Sequence, residues 1–255
     1  MDREKQFKEF VEACRNNNQI CGAGNPYAQI LLVGQEHRAE KPIENEQEWK
    51  AYLENNYRYC EIDNPWIIED ENSKWRNYQN PTPTWSSYQR LIDNALLERP
   101  KRALQGDKDF EFDAFTTELN NEAKPSSRVN GKEERNKLRQ RVEARLQVFK
   151  QSEFIQNFPV IVLACGGYVI NREEKGVLQI KDTFNVTFEK RFGFSKGNWF
   201  CTHYDNKNQS RLVIHTRQLS NGVSGKMIDK MASVIGEHLI KWGYLTPKDN
   251  YINRI

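Results

Sequence analysis

The chain has 255 residues, 37% hydrophobic and 29% charged, which suits one large domain with a very polar surface. Its 38 Lys and Arg against 35 Asp and Glu give a net charge of +3, which neither requires nor excludes a nucleic-acid partner. No stretch has the length and apolarity of a membrane span, and the N-terminal residues lack a signal-peptide core, so we expect a cytoplasmic protein without membrane contact.

The N-terminal third predicts a helix, a buried strand and a second helix. Residues 3–15 place their apolar side chains on one helical face. The strand is predicted over 28–34, where a continuous apolar run ends at Gly34, as is typical of a strand buried on both faces of a parallel sheet. A short amphipathic helix over 45–55 follows.

The next segment, residues 57–83, is irregular in pattern and rich in aromatic side chains. Long loops inside compact domains are often functional. Two interpretations stay open: the rings cover the edge of the sheet as a small satellite core, or they stack on bases or another ligand. The residues concerned are Tyr57, Tyr59, Trp66, Trp75 and Tyr78.

The rest of the chain alternates helices and strands, which predicts an α/β fold. We expect a three-layer α/β/α sandwich, with a mostly parallel central sheet of about four strands, in one domain spanning residues 1–255. The predicted elements are helix 84–97, strand 110–119, helix 130–150, strand 159–164, strands 199–204 and 211–215, and helix 222–242.

The helix over 130–150 buries one apolar face and carries many cations on the other. A solvent-exposed face is the simplest interpretation of such a charge pattern. The cations are Lys132, Arg135, Lys137, Arg139, Arg141 and Arg145.

Polar groups follow each of four predicted strands. The carboxyl ends of parallel strands meet along one rim of the sheet, where ligands usually bind. The four groups are Gln35 to Arg38, then Glu118 with Asn120 and Asn121, then Cys165 to Gly167, and finally His215 to Ser220.

Three of these groups together resemble the uracil-DNA glycosylase superfamily. Gly34-Gln35-Glu36 resembles the motif after the first strand, Leu119-Asn120 the asparagine that ends a second strand, and His215 with Leu219-Ser220 the late histidine motif. The pattern departs at His37, Arg38, Thr216 and Arg217, which stand at motif positions where members of the family carry other residues. The resemblance implies the uracil-DNA glycosylase fold and hydrolysis of a base–sugar bond in DNA.

The resemblance also implies catalytic roles for two residues. Glu36 would orient the attacking water and stabilise the positive sugar, and His215 would donate a hydrogen bond to the departing base. Each can instead be a structural residue, Glu36 as a cap at the surface and His215 as a hydrogen-bonded rim histidine. We expect no cofactor, because Cys14 and Cys21 do not match the four-cysteine pattern of the iron–sulfur members.

Substrate recognition falls to five further positions. Gln35 and Asn120 would read the base edge, and Asn120 can alternatively cap a turn. Arg38 and Arg217 would hold backbone phosphates or lie in solvent, and Leu219 would fill the gap left by a flipped base or pack in the core. The expected partner is single-stranded or lesion-containing DNA, bound by a monomer.

Two other classes of function stay open. Cys165 follows a buried strand and precedes Gly166-Gly167, so a nearby helix N-terminus would make it a nucleophile in a thiol hydrolase. A non-catalytic binder of nucleic acid or nucleotide on the same fold is the other alternative. The five cysteines show no close pairing and are expected to be reduced, and no spacing signature supports a metal site.

Overall fold

The computed structural model describes residues 2–38, 43, 45–61, 83–96, 109–124, 131–172 and 177–246. At the ends of some strands and helices only the backbone is described, including residues 37, 38, 58–61, 121, 123–124 and 171–172. Most of the aromatic segment, including Trp66, Trp75 and Tyr78, therefore lies outside the described residues. Tyr57 is described: it lies in a helix rather than an irregular loop, it is buried in the main core, and its hydroxyl donates to the Gln19 carbonyl at 2.8 Å.

The chain forms an α/β fold around one mixed sheet of seven strands, which confirms the predicted class. The strands in chain order are β1 (Ala23–Gly24), β2 (Ile30–Arg38), β3 (Ala114–Lys124), β4 (Val160–Leu163), β5 (Asn171–Arg172), β6 (Val177–Leu178), β7 (Val186–Gly193), β8 (Trp199–Asp205) and β9 (Leu212–Thr216). The sheet order is β1-β3-β2-β4-β9-β8-β7, and β5 pairs separately with β6. The prediction of about four strands was too small. Strand β1 has two residues, and β7 is exposed along most of its length, so neither carries a clear buried-strand pattern.

The centre of the sheet is parallel and its flanks are antiparallel. Strands β3, β2, β4 and β9 run parallel in that order, whereas β1, β8 and β7 are added antiparallel at the two sides. Strand β2 lies between β3 and β4, with Ile30 in register with Ala114 and Val160. The carboxyl ends of the four parallel strands therefore share one rim.

Helices cover both faces of this sheet. They are α1 (Arg3–Asn16), α2 (Glu46–Glu61), α3 (Pro83–Ala95), α4 (Gly131–Gln151), α5 (Glu153–Gln156), α6 (Gln179–Phe184) and α7 (Gly225–Lys241). Leu31 and Val33 of β2 face a core shared with α1, α2, α4, α5 and α6, which we call the first face. Ile30 and Leu32 point the other way, into a core shared with α3 and α7, the second face. The apolar run of β2 is continuous because both of its sides are covered.

The cationic face of α4 is only partly solvated, which corrects the prediction for Arg145. Its side chain is fully buried, and its guanidinium donates to a set of acceptors from α1, the following loop and β3. These are the Glu118 carbonyl at 3.1 Å, Ile20 carbonyl at 2.6 Å, Gln19 Oε1 at 2.9 Å, Thr117 Oγ1 at 2.7 Å and Cys14 Sγ at 3.2 Å. Arg145 therefore joins α4 to β3 and to the end of α1.

The cysteines differ in state. Cys14, Cys165 and Cys201 are not in disulfides, whereas Cys21 is disulfide-bonded, which contradicts the expectation that all five are reduced. Within the described ranges, no helix combines the length and the apolar character needed to cross a membrane.

Candidate active site at the sheet rim

Three side-chain hydrogen bonds join the carboxyl ends of β2, β4 and β9. Gln35 Nε2 donates to the Cys165 carbonyl at 3.1 Å, and His215 Nε2 lies 2.9 Å from the Gly166 carbonyl. The Tyr168 hydroxyl donates to Glu36 Oε2. The turn after β4, residues 165–168, therefore connects both neighbouring strands and brings Gln35, Glu36 and His215 to one part of the rim.

Glu36 lies on β2 in register with Asn120 on β3. Its side chain is partly exposed, and the hydrogen bond from Tyr168 stabilises its negatively charged form. Burial and the nearby Glu36 charge raise the pKa of Tyr168, so this phenol stays protonated and remains a donor at neutral pH. The carboxylate is thus held in place by a neighbour that cannot compete with it for a proton.

Asn120 is buried, and its amide orientation is set by Arg141. Arg141 Nε donates to Asn120 Oδ1 at 3.0 Å, and the Glu122 backbone N–H donates to the same oxygen at 3.4 Å. Because a guanidinium can only donate, the amide oxygen must face it. Arg141 Nη2 is paired in turn with Glu122 Oε2 at 2.5 Å. The amide Nδ2 makes no hydrogen bond to the described residues, so its two donors are left for a ligand.

His215 is neutral and already engaged within the protein. Burial lowers its pKa, and a carbonyl can only accept, so the proton lies on Nε2 and is donated to Gly166. The ring also meets the edge of Trp199, with centroids 5.1 Å apart and an interplanar angle of 82°. The predicted donor to a departing base is present, but its Nε2–H is occupied in this conformation.

Glu118 is a further rim residue, and no role was predicted for it. It lies opposite Gly34 in the register of β3 with β2, and a Cβ atom at position 34 would come within 2.1 Å of Glu118 Oε2. Oε2 is buried and accepts no hydrogen bond from the described residues, although the rest of the side chain is partly exposed. Burial, followed by the charge of Glu36, raises the pKa of Glu118 to about 8. The sequence signal was its spacing of two residues from Asn120, which puts both on one side of a strand.

The three residues predicted to contact DNA lie in different environments. Arg38 ends β2, and its side chain lies outside the described residues. Arg217 is partly exposed and donates to the Asn221 carbonyl at 3.2 Å. Leu219 is fully buried in the core of the second face, which is the packing that its alternative interpretation describes.

An aromatic and cationic surface beside the rim was missed at the sequence level. The guanidinium of Arg191 on β7 lies 5.3 Å from the ring centroid of Trp199, the residue that also meets His215. Further from the rim, Phe188 is 47% exposed and packs its ring against His203. This β7–β8 surface, Phe188, Arg191 and Trp199, extends from the sheet edge to the rim. Segment 184–194 had no recognisable sequence pattern, because most residues of β7 are exposed and buried and exposed side chains do not alternate along it.

The thiol-hydrolase alternative does not fit the environment of Cys165. The side chain is fully buried, and burial raises its pKa to about 12. A thiol in this state is almost entirely protonated at neutral pH and is not a nucleophile. Among the described residues, no three or more His, Cys, Asp or Glu side chains are grouped to hold a metal ion.

Comparison with known proteins does not assign the chain to a family. No protein-family model matches it. No curated protein matches it either.

Proposed function

We propose that this protein hydrolyses the N-glycosidic bond of a uracil-like or damaged base in DNA. The observation that carries the proposal is the register of Glu36 with Asn120 at the carboxyl ends of two neighbouring parallel strands. It puts a carboxylate beside an amide whose Nδ2 makes no hydrogen bond to the described residues, at the rim where α/β sheets usually bind ligands. The two groups match the two ends of a nucleoside, the sugar carbon and the base edge.

Glu36 acts on the sugar side of the bond in this proposal. A carboxylate can orient a water against the sugar carbon, accept its proton and stabilise the positive charge that develops as the base departs. The hydrogen bond from Tyr168 limits the rotation of the carboxylate, so little reorganisation is needed when the charge appears. The bond breaks between the sugar carbon and the base nitrogen, and the new bond joins that carbon to the water oxygen.

Asn120 reads the base. Since Arg141 holds Oδ1, the group offered to a ligand is the NH₂, which recognises a carbonyl oxygen rather than an amino group. Uracil and hypoxanthine present such an oxygen on the edge where cytosine and adenine present an amino group. Gln35 contributes less directly, because its own amide donates to the Cys165 carbonyl and shapes the floor of the rim.

His215 contributes as a neutral imidazole. Its Nε2–H bonds to Gly166 in this structure, so substrate binding exchanges that bond for one to the oxygen of the departing base. Such an exchange costs little when the lost and gained hydrogen bonds are of equal strength. The adjacent Trp199 and Arg191 are suited to stack on bases and to attract phosphates, and they offer a path for a single strand toward the rim. The protein would act as a cytoplasmic monomer on single-stranded or lesion-containing DNA.

Single-turnover release of uracil, hypoxanthine or another lesion base from labelled oligonucleotides tests the proposal. Glu36→Gln keeps size and hydrogen bonding but removes the charge, and His215→Ala removes the donor to the base. Each should slow release by about a hundred- to a thousandfold while leaving affinity for abasic DNA nearly unchanged. Glu237→Gln is the matched control, an exposed carboxyl on α7 whose Oε1 accepts from Ser233.

The outcomes separate the remaining alternatives. Parent activity with unchanged rates in both variants would retain the glycosylase and discard the site. DNA binding without release of any base from a broad lesion panel would favour the non-catalytic binder. Absence of DNA binding even at low salt would reject both nucleic-acid functions, because phosphate contacts are strongest there.

A further inference from the structure

Two carboxyl groups face the same part of the rim from neighbouring strands, and they differ in environment. Glu36 is partly exposed and accepts a hydrogen bond from Tyr168. Glu118 lies across Gly34 with Oε2 buried and without a hydrogen bond from the described residues. A buried carboxyl oxygen that no protein group satisfies is costly for folding, and active sites are where such costs are retained.

The groups around Glu118 favour its neutral form. Glu36 repels a second negative charge, and burial disfavours any charge at all. Among the described residues, Tyr88 on α3 and Cys165 after β4 also interact with it, and both are neutral at physiological pH because burial raises their pKa. Within the described part of the chain, Arg145 opposes this effect, but its guanidinium is directed to the Glu118 backbone carbonyl.

Gly34 makes this arrangement possible. Because any side chain at position 34 would occupy the place of Glu118 Oε2, the carboxyl lies directly over the backbone of β2. Glycine therefore allows the Glu118 carboxyl to take this position, which a larger side chain would force it to leave. The same glycine belongs to the apolar strand end that leads to Glu36, so one short segment places both carboxyl groups.

We propose that Glu118 is the general acid of this site and protonates the base as it leaves, an inference that rests on the proposed function. The proton passes from the Glu118 carboxyl to the base as the bond between base nitrogen and sugar carbon breaks, so the base departs neutral. Water adds to the sugar carbon and its proton goes to Glu36. Glu118 ends as a carboxylate and Glu36 as an acid, and exchange with solvent restores the starting state.

This assignment predicts the substrate class. A base that forms a stable anion leaves without a proton, whereas a base that forms a poor anion needs an acid. The pair of one ionised and one protonated carboxyl is the arrangement that glycosidic hydrolysis uses when the leaving group must be protonated. Hypoxanthine, whose N7 can accept a proton as the bond breaks, should therefore depend on Glu118 more than uracil, and uracil, the poorer anion, more than 5-fluorouracil.

The test compares the parent, Glu118→Gln and the control Glu237→Gln in single-turnover release of these three bases as a function of pH. Glu118→Gln should slow release of hypoxanthine by about a hundredfold or more and release of 5-fluorouracil by less than about tenfold. The parent rate should fall above about pH 8, because the pKa of Glu118 is raised to about 8, and the variant should lose that decline. A merely structural role would lower all three rates equally and leave the shape of the pH profile unchanged.

Infrared difference spectra of the parent between about pH 6 and about pH 10 give a readout that does not depend on activity. A protonated, buried carboxyl should disappear over this range and be missing from Glu118→Gln. Equal rates in parent and variant, or absence of that signal, would overturn the general-acid role while leaving the glycosylase intact. No release of any base by the parent would instead overturn the proposed function and the role of Glu118 with it.

Discussion

Arg145 and Glu118 are two ionisable residues joined by one hydrogen bond, from Arg145 Nε to the Glu118 carbonyl, yet their side chains differ in how the fold satisfies them. Arg145 Nε donates to the Glu118 carbonyl, and its other nitrogens reach acceptors at Ile20, Gln19, Thr117 and Cys14. Glu118 Oε2 has no such partner among the described residues. The described residues satisfy the guanidinium of Arg145, but they offer no hydrogen bond to Glu118 Oε2.

The difference teaches how to separate structural from functional charges. A buried ion is tolerated when its hydrogen-bonding groups are satisfied, and removing it then leaves several partners unpaired. An unsatisfied carboxyl gains little from its surroundings, responds by keeping its proton, and is retained where that proton has a use. Arg145 should therefore control stability, and Glu118 should control chemistry at some cost in stability.

The largest expected effect is the loss of Arg145. Arg145→Met fills a similar volume but leaves backbone and side-chain acceptors buried without donors, so we expect unfolding to become easier by about 3 to 5 kcal/mol. Urea denaturation followed by circular dichroism measures this. Arg139→Met on the exposed side of the same helix is the control and should change stability by less than about 0.5 kcal/mol. A loss below about 1 kcal/mol at position 145 would show that its hydrogen bonds are not what stabilises the fold.

The next largest effect is expected for Glu118→Gln, which should make the protein more stable than the parent at alkaline pH. The pKa of Glu118 rises from an ordinary value of 4.5 to about 8, so the folded protein holds a proton that the unfolded chain releases. The stabilisation this confers is complete below pH 4.5 and is lost as pH rises through about 8. Between pH 5 and pH 9 the parent should lose about 2 to 4 kcal/mol that Glu118→Gln retains. Parallel stability curves for the two proteins would mean that Glu118 is ionised in the folded state.

His203 lies between these two cases, because it is buried with one hydrogen bond, to the Val213 carbonyl. Burial lowers its pKa from 6.5 to about 4, so the unfolded chain takes up a proton that the folded protein resists. Its contribution to stability is complete above pH 6.5 and is lost as pH falls toward 4. His203→Phe should lose about 1 to 2 kcal/mol less than the parent between about pH 7 and about pH 4.5 in chemical denaturation. An equal loss of stability in the parent and His203→Phe would mean that groups other than His203 cause the acid sensitivity.

Much of the architecture could be predicted from local pattern. The apolar run of β2 and the helical periodicity of α1 and α7 reflect burial of one or both sides, and such burial leaves a period in the sequence. Strand β7 leaves none, because its residues are exposed on both sides and its pairing with β8 depends on partners distant in the chain. The number of strands was underestimated for that reason.

The sequence could predict which strand ends carry the candidate site residues, but it could not predict the side-chain contacts that those residues make. Strand ends indicated Glu36, Asn120 and His215, since parallel strands bring their carboxyl ends together. That Arg141 orients Asn120, that Gly166 engages His215 and that a buried arginine lies beneath the rim depend on tertiary packing. The charge pattern of α4 could not distinguish Arg145 from its exposed neighbours, because each arginine in that helix lies close to a glutamate in sequence.

The smallest effect on stability is expected for Gly34→Ala, which tests directly whether the position of the Glu118 carboxyl raises its pKa. The new Cβ would lie 2.1 Å from Glu118 Oε2, and that oxygen is the end of a flexible side chain that can move away. We expect a stability change of about 1 kcal/mol or less at pH 5, since no backbone atom blocks the methyl group. The displaced carboxyl should reach solvent, so the loss of stability between pH 5 and pH 9 should shrink toward that of Glu118→Gln.

Gly167→Ala is the control, because a Cβ there meets nothing within 4 Å, and it should keep the pH dependence of the parent. Urea denaturation at both pH values measures this difference. If Gly34→Ala loses as much stability between pH 5 and pH 9 as the parent, the position of Glu118 over Gly34 does not raise its pKa. The nearby charge of Glu36 would then be the cause.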